Sequence, residues 1–513
     1  MKIVFIVLSV LILLVSCDNT TKIKDEANDV SILPQPKHLQ VAQKKVVLST
    51  DSKFYSPHAE VYPLLELLSS EIELVTGIGL ATTTSKNNEA DIVFKMDTSL
   101  MRSEYHIDIN EIVMVSGGSY TALVYAKNTL LHMVKMSENS VVFPIVEIRD
   151  SPDAAYRGLM IDLARKWHDV GTIKKIINLA AYYKIGFLQL HFTDNQSYTL
   201  PSKKYPKLST AEKHYSYAEL EELEAYSQLR GVTIIPEIDV PGHSKQFTKK
   251  YGEIFAIESD ENNPSIVNMG KEEVYEALDV LIGETLSVFK STPYFHIGGD
   301  EAKFNGLMDD PDVRKYMVKN KLDIDVHELF NHFINRMNSI VKKYNKQMCV
   351  WEGFGPDANI EISKDIIVFP FETNRYLPTE LINDGYTLVN VSWKPLYVVN
   401  EKKWEPKTIY DWNMWRWENW WDKAPSFEPI QASKSDLVIG AQMCAWEQAQ
   451  EDEIPSLRKR LPAFVERIWN TEEKISYDEL MKRMLFLDKR LSILINDDRQ
   501  DTLLIGHNYE KIK

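Results

Sequence analysis

Eight short apolar runs with strand character recur between residues 159 and 443, and helical patterns separate several of them. The runs are Leu159 to Leu163, Phe187 to Phe192, Val232 to Ile238, Tyr294 to Ile297, Met348 to Trp351, Ile366 to Phe371, Leu388 to Trp393 and Leu437 to Met443. Between them Ile173, Ile176, Ile177, Ala180 and Ala181 form one helical stripe, and Val274, Ala277, Leu278, Leu281 and Ile282 another. Ser216 to Glu219 predicts a capping box ahead of Leu220 and Leu223, with Gly231 closing that helix. Asp325 to Glu328 predicts a second box ahead of Phe330, Ile334, Met337 and Val341. Strands that are apolar along their whole length, alternating with helices, predict a parallel sheet covered on both faces. Eight of them over about 300 residues predict an α/β chain built on a (β/α)8 TIM barrel.

The remaining segments divide around that barrel. Residues 1–17 hold Met1-Lys2, an apolar run from Ile3 to Val15, and Ser16-Cys17, too short for a membrane span and fitted to an export signal. Leu14-Val15-Ser16-Cys17 resembles a bacterial lipobox, which implies cleavage before Cys17 and lipid attachment to its sulfur. The expectation is an exported bacterial lipoprotein of the cell envelope, periplasmic or at the cell surface, held to the membrane by an N-terminal lipid anchor. Residues 18–31 then form a polar tether, 32–150 a small α+β domain, 151–475 the catalytic barrel and 476–513 a C-terminal helical tail. In the small domain Val46 to Leu48 and Asp91 to Phe94 predict strands, and Tyr105 to Ile109 with Ile112 to Val115 predicts a hairpin. Leu64 to Val75 and Tyr120 to Met136 have helical spacing. A net charge of −15 excludes nucleic acid and an anionic membrane surface as general partners. Cys349 and Cys444 sit in apolar runs and predict buried thiols, not a disulfide framework.

In a parallel barrel the chemistry lies at the C-terminal ends of the strands. Those ends carry His191-Phe192-Thr193-Asp194, Glu237-Ile238-Asp239 followed by Pro241-Gly242-His243, His296-Ile297-Gly298-Gly299-Asp300-Glu301, Trp351-Glu352, Trp393, and Trp446-Glu447-Gln448. Adjacent carboxyls such as Asp300 and Glu301 repel each other's charge, so one stays protonated while the other is ionised. Acids and tryptophans on one face equip a site for proton transfer, charge stabilisation and stacking on a sugar. His191 and His296 lack a third ligand at metal spacing, and no metal or organic cofactor is expected.

Several of these residues occur in stretches that resemble glycoside hydrolase family 20, the β-N-acetylhexosaminidases. The stretches are Tyr156-Arg157-Gly158 through Asp162 and Arg165, His191 to Gln196, Pro236 to His243, His296 to Glu301, Trp446, and Ala463 to Trp469. The resemblance implies an exo-acting retaining glycosidase that releases terminal β-linked N-acetylhexosamine from glycans. The substrate's own 2-acetamido oxygen attacks the anomeric carbon and gives an oxazolinium intermediate. It further implies Glu301 as general acid and then base, and Asp300 as the partner of the acetamido N–H. Tyr397 would hydrogen-bond the acetamido oxygen, and Trp351, Trp393 and Trp446 would wall the pocket. Arg157 would bind ring hydroxyls, with Asp194 and His243 supporting the acid pair.

Two departures bear on the substrate. The family's Asp-Asp-Gln-Gly-Trp is here Asp194-Asn195-Gln196-Ser197-Tyr198, and the glutamate that the family places two residues after its pocket tryptophan is here Gln448. Lys394 follows Trp393 directly. Loss of an acid and gain of a base near O6 make 6-O-sulfated N-acetylglucosamine an expected substrate beside the unsulfated sugar, unless Glu447 turns inward to replace the missing acid. A lacto-N-biosidase-like, disaccharide-releasing enzyme and a non-catalytic glycan-binding surface lipoprotein are the alternatives.

Overall fold

The computed structural model describes residues 30–84, 90–257, 265–400, 402–472 and 475–501. The export signal, Cys17 and most of the tether lie outside the described residues. Among the described residues no helix is long and apolar enough to cross a membrane.

Two sheets organise the chain. The first runs His38–Leu48, Ser140–Asp150, Tyr105–Ile109, Val113–Gly117, Ile92–Met96, Lys53–Tyr55 and Ala81–Thr82, with Lys135–Ser137 pairing on Ser140–Asp150. Helices Tyr62–Thr76 and Tyr120–Met133 pack on it. The second helix is shorter than its periodicity predicts. Val134 turns extended, and Lys135 and Met136 pair with Val142 and Val141 instead.

The second sheet closes into a barrel. Its parallel strands are Tyr156–Asp162, Phe187–His191, Thr233–Glu237, Tyr294–His296, Gln347–Trp351, Ile367–Phe369, Thr387–Asn390 and Val438–Ala445. Thr387–Asn390 pairs with Val438–Ala445, which pairs in turn with Tyr156–Asp162. All eight predicted strands are present. The first is buried at every one of its seven residues, which is why it reads as an apolar run and not as an alternation. The Ser216–Glu219 capping box forms. The second box does not. Asp325 caps its helix, but Glu328 turns away to accept the backbone N–H groups of Asn359 and Ile360, tying down the loop after the fifth strand.

The long connection after the seventh strand contributes directly to the barrel's C-terminal face. Tyr397–Val399 adds alongside the end of the eighth strand, with Tyr397 opposite Cys444. The tryptophan cluster in the same connection divides. Trp412 and Trp417 are buried in the core, whereas Trp420 is exposed and stands edge-on to Trp393 at 5.5 Å.

Candidate functional site

The turn after the fourth strand shapes the site. Gly298 and Gly299 hold φ of 71° and 99°, angles that side-chain-bearing residues resist. A Cβ on Gly298 would sit 1.8 Å from Asp239 Oδ1. The glycines therefore let the backbone cross against Asp239, whose Oδ1 accepts Gly299 N–H at 3.2 Å. The chain then delivers Asp300 inward, with its side chain 13% exposed, and Glu301 outward, at 53%. Asp300 Oδ1 is buried without a hydrogen-bond partner among the described residues.

Behind the pair runs a line of alternating charges. His243 Nε2 lies 3.4 Å from Glu301 and 3.9 Å from Asp300, while its Nδ1 lies 3.3 Å from Asp194. Asp194 also faces His191 at 3.1 Å and Arg165 at 2.6 Å. His191 Nδ1 is 2.9 Å from Glu237, a fully buried carboxylate that also accepts Gln189 and Trp351 Nε1. Burial alone would make His243 a weaker base, but the charge of Asp239 and the bonds to Asp194 and Glu301 push its pKa up to about 12. Burial would raise Asp194, yet the two histidines hold it far below the ordinary carboxylate range. Among the described residues, Asp239, His243 and Asp300, and likewise His191, Asp194 and Asp239, bring three donor atoms within 4.8 Å of one another, so His191 does have two acids at metal-like spacing. Asp194 and both histidines are already paired with one another.

The two acids differ in basicity. Burial and then the charges of Glu301 and Glu237, opposed by His243, raise Asp300 to about 6. The hydrogen bond from His243 lowers Glu301 below the ordinary glutamate value. In the open site the pair therefore holds its last proton on Asp300. A sugar that covers Glu301 and offers an N–H to Asp300 reverses both effects, because desolvation raises a carboxyl and a donated hydrogen bond lowers one.

Aromatic rings gather at the C-terminal ends of the strands, the end that also carries the acids. Trp351, Trp446, Tyr397 and Phe371 form a closed circuit, with centroid separations of 5.9, 6.2, 6.3 and 6.1 Å around it. Trp393 joins at 5.4 Å from Tyr397. Trp351 is 1% exposed and presents little of its own surface. Phe371 escapes the sequence reading, since a phenylalanine ending an apolar run has no mark of a site.

Three residues expected to touch substrate are engaged by the protein's own groups. Arg157 lies at the N-terminal end of the first strand, where its guanidinium donates to Lys184 O and Ala154 O and reaches Tyr125 of the small domain. It is 2% exposed and fastens the two sheets' units together. The arginine at the site is Arg165, which follows the same strand's C-terminal end. It pairs with Asp162 at 3.2 Å and Asp194 at 2.6 Å and lies over Trp446 at 5.0 Å. Gln448 is fully buried. Its amide donates both hydrogens to Val398 O and Trp446 O and its oxygen accepts from Ser456, so the side chain is committed to the protein's interior. Glu447 adopts φ of 56°, ending the strand's alternation, and its exposed carboxylate lies 3.8 Å from Arg165. The Lys394 ammonium pairs with Glu418 at 2.6 Å, a carboxylate that Arg416 also holds at 2.9 Å. The two residues on which a 6-sulfate site was expected are thus both engaged by the protein itself.

Comparisons with known proteins agree with this architecture. The family described as "Glycosyl hydrolase family 20, catalytic domain" matches residues 155–472, and "Glycosyl hydrolase family 20, domain 2" matches 29–151. A beta-hexosaminidase of Vibrio furnissii is 26% identical over 374 residues, covering 67% of this chain and 60% of the relative. A beta-hexosaminidase of Porphyromonas gingivalis is 25% identical over 530 residues, covering 92% and 65%. The chain thus spans less than two thirds of the length of these two relatives. In fold it is similar to the exo beta-N-acetylglucosaminidase of Vibrio harveyi, solved with N-acetylglucosamine, at a TM-score of 0.78 and 22% identity over 93% of this chain and 80% of that one. It is similar also to the beta-N-acetylhexosaminidase of Bacteroides fragilis, at 0.76 and 22% over 90% and 96%. With both the barrel and the domain before it matched, the chain belongs to glycosyl hydrolase family 20.

Proposed function

We propose that this protein is an exo-acting retaining glycosidase that releases terminal β-linked N-acetylhexosamine by substrate-assisted catalysis. The observation that carries the reading is the buried Oδ1 of Asp300, without a hydrogen-bond partner among the described residues, at the strand ends that also carry the aromatic circuit and beside the half-exposed Glu301. A buried acceptor without a donor is costly, and an acetamido N–H supplies the donor. Glu301 protonates the glycosidic oxygen as the acetamido oxygen attacks the anomeric carbon. Asp300 orients the acetamide and offsets the positive charge that spreads over the oxazolinium ring, and Tyr397 donates its hydroxyl hydrogen to the acetamido oxygen. Glu301 then takes a proton from the water that opens the ring. His243 and Asp194 hold Glu301 in place, while Arg165 and Glu447 are the groups offered to the ring hydroxyls. The apolar run and lipobox-like residues before Cys17 support export and lipid anchoring in the cell envelope.

The test is hydrolysis of p-nitrophenyl N-acetyl-β-glucosaminide and of its 6-sulfate. Turnover of the unsulfated compound at least as fast as the sulfated one is expected, since Lys394 is already paired. No hydrolysis of either, with glycan binding retained, would favour a binding protein instead.

A further inference from the structure

Residues 351–353, at the end of the fifth strand, lie between two parts of the site. On one side is the turn that carries the acids. Trp351 N–H donates to Gly298 O at 2.8 Å. A Cβ on Gly353 would sit 2.2 Å from Gly299 O and 3.2 Å from the Asp300 Cα, so the missing side chain lets this segment press directly on the turn. On the other side is the loop after the sixth strand, residues 371–376. Glu352 N–H donates to Phe369 O at 3.1 Å, and the Glu352 side chain is buried against the loop itself. Its Oε2 accepts Thr373 N–H at 2.7 Å, and its Oε1 accepts Arg375 N–H at 2.8 Å and Tyr376 N–H at 3.3 Å. Thr373 holds φ of 60°, an angle that β-branched residues resist, so the loop is held in a shape that its own residues disfavour. A carboxylate suits this place because it offers an acceptor oxygen on both sides, where an amide would turn a donor to one of them.

The loop carries part of the aromatic circuit. Phe371 opens it, with its ring centroid 6.1 Å from that of Trp351, 6.3 Å from Tyr397 and 6.4 Å from Trp393. The loop also passes its constraint on. Glu372 O accepts from Asn419 Nδ2 at 3.4 Å, and Thr373 Oγ1 lies 2.6 Å from Ser426 Oγ, both partners belonging to the long connection after the seventh strand. That connection reaches the residue beside Trp393, because Lys394 N–H donates to Glu418 O at 2.8 Å.

We propose that Glu352 is a positioning residue for substrate binding: by clamping residues 373–376 to the end of the fifth strand it fixes Phe371, and through Asn419 and Ser426 the connection beside Trp393, as the wall against which the substrate's N-acetyl group is seated. Glu352 acts through these rings and not on the reacting atoms. The inference rests on the substrate-assisted reading given above.

The experiment is Glu352→Gln, which keeps the side chain's shape, leaves an acceptor on one side only and sets an NH2 group against the backbone N–H on the other. KM for p-nitrophenyl N-acetyl-β-glucosaminide is expected to rise about tenfold, the factor for one lost interaction of ordinary strength. The wall meets the sugar alike before and during the reaction, so kcat should stay within about threefold. The turn that carries the acids keeps its own supports in Asp239, Trp351 N–H and Gly353. A purely structural role predicts the opposite split, a smaller folded fraction that lowers the apparent kcat at unchanged KM. Should the variant fail to fold, hydrogen exchange in the wild type decides, because the amides of Thr373, Arg375 and Tyr376 should exchange at least about a hundredfold more slowly than those of an open chain. Unchanged KM in a folded variant, whatever the fall in kcat, or wild-type amides that exchange as freely as an open chain, would overturn the proposal alone. A wild-type protein that leaves the aryl glycoside uncleaved would overturn the catalytic reading and the proposal with it.

Discussion

Glu301→Gln is expected to slow cleavage of natural disaccharides by roughly a hundred- to ten-thousand-fold, the range for a positioned general acid. With p-nitrophenyl N-acetyl-β-glucosaminide the loss in the first step should be much smaller, because p-nitrophenolate leaves without a proton. The same residue then fails as the base for water, so a burst of p-nitrophenolate followed by slow turnover should appear. The pH profile carries a second signature. The productive form holds one proton on the coupled Asp300–Glu301 pair, and above the raised Asp300 value of about 6 that proton is lost. Wild-type kcat/KM should fall on the alkaline side of about 6. In the Gln variant only an ionised Asp300 is needed, and that alkaline limb should vanish. A variant as active as the wild type on disaccharides would show that Glu301 is not the acid.

Asp300→Asn should lower activity and raise stability together. Asparagine still accepts the acetamido N–H but cannot offset the oxazolinium charge, and a loss in kcat of about a hundred- to a thousandfold is expected. Stability changes in the opposite sense. Asp300 is raised from 3.8 to about 6 in the folded protein, so between those values the folded state binds more protons than the unfolded one, and stability falls as pH rises through this window. The Asn variant has no such penalty. It should be more stable than the wild type by up to about 3 kcal/mol near pH 7, with the gain gone below about pH 4. Thermal unfolding at both pH values checks this. Equal stability at pH 7 would mean that Asp300 is not held in a penalised ionised state.

The barrel was legible because its strands are buried on both faces and stand out as apolar runs. The acid pair was legible because two glycines ahead of two carboxylates mark a turn with a steric purpose. What the letters did not show was direction and pairing. Arg157 and Arg165 occupy one stretch, and only the strand's register separates the small-domain end from the catalytic end. The rule that function gathers at C-terminal strand ends would have chosen Arg165. Lys394 looked like a free base because its partner Glu418 is brought back by the long connection. Gln448 looked like a lost sugar contact because the family resemblance places a glutamate two residues after the pocket tryptophan. The positive φ of Glu447 breaks the strand's alternation there and gives the exposed position to a carboxylate. Phe371 had no signal beyond its place after the sixth strand.

The central claim is that the nucleophile belongs to the sugar and not to the protein. The most direct measurement replaces the substrate's N-acetyl group by its mono-, di- and trifluoroacetyl analogues in an aryl glycoside, leaving the leaving group unchanged. Fluorine withdraws electrons from the carbonyl oxygen and weakens it as a nucleophile. If that oxygen attacks the anomeric carbon while Asp300 holds the N–H, kcat/KM should fall with each fluorine, by about two orders of magnitude or more across the series. A flat series would contradict the account and return the nucleophile to a carboxylate of the protein.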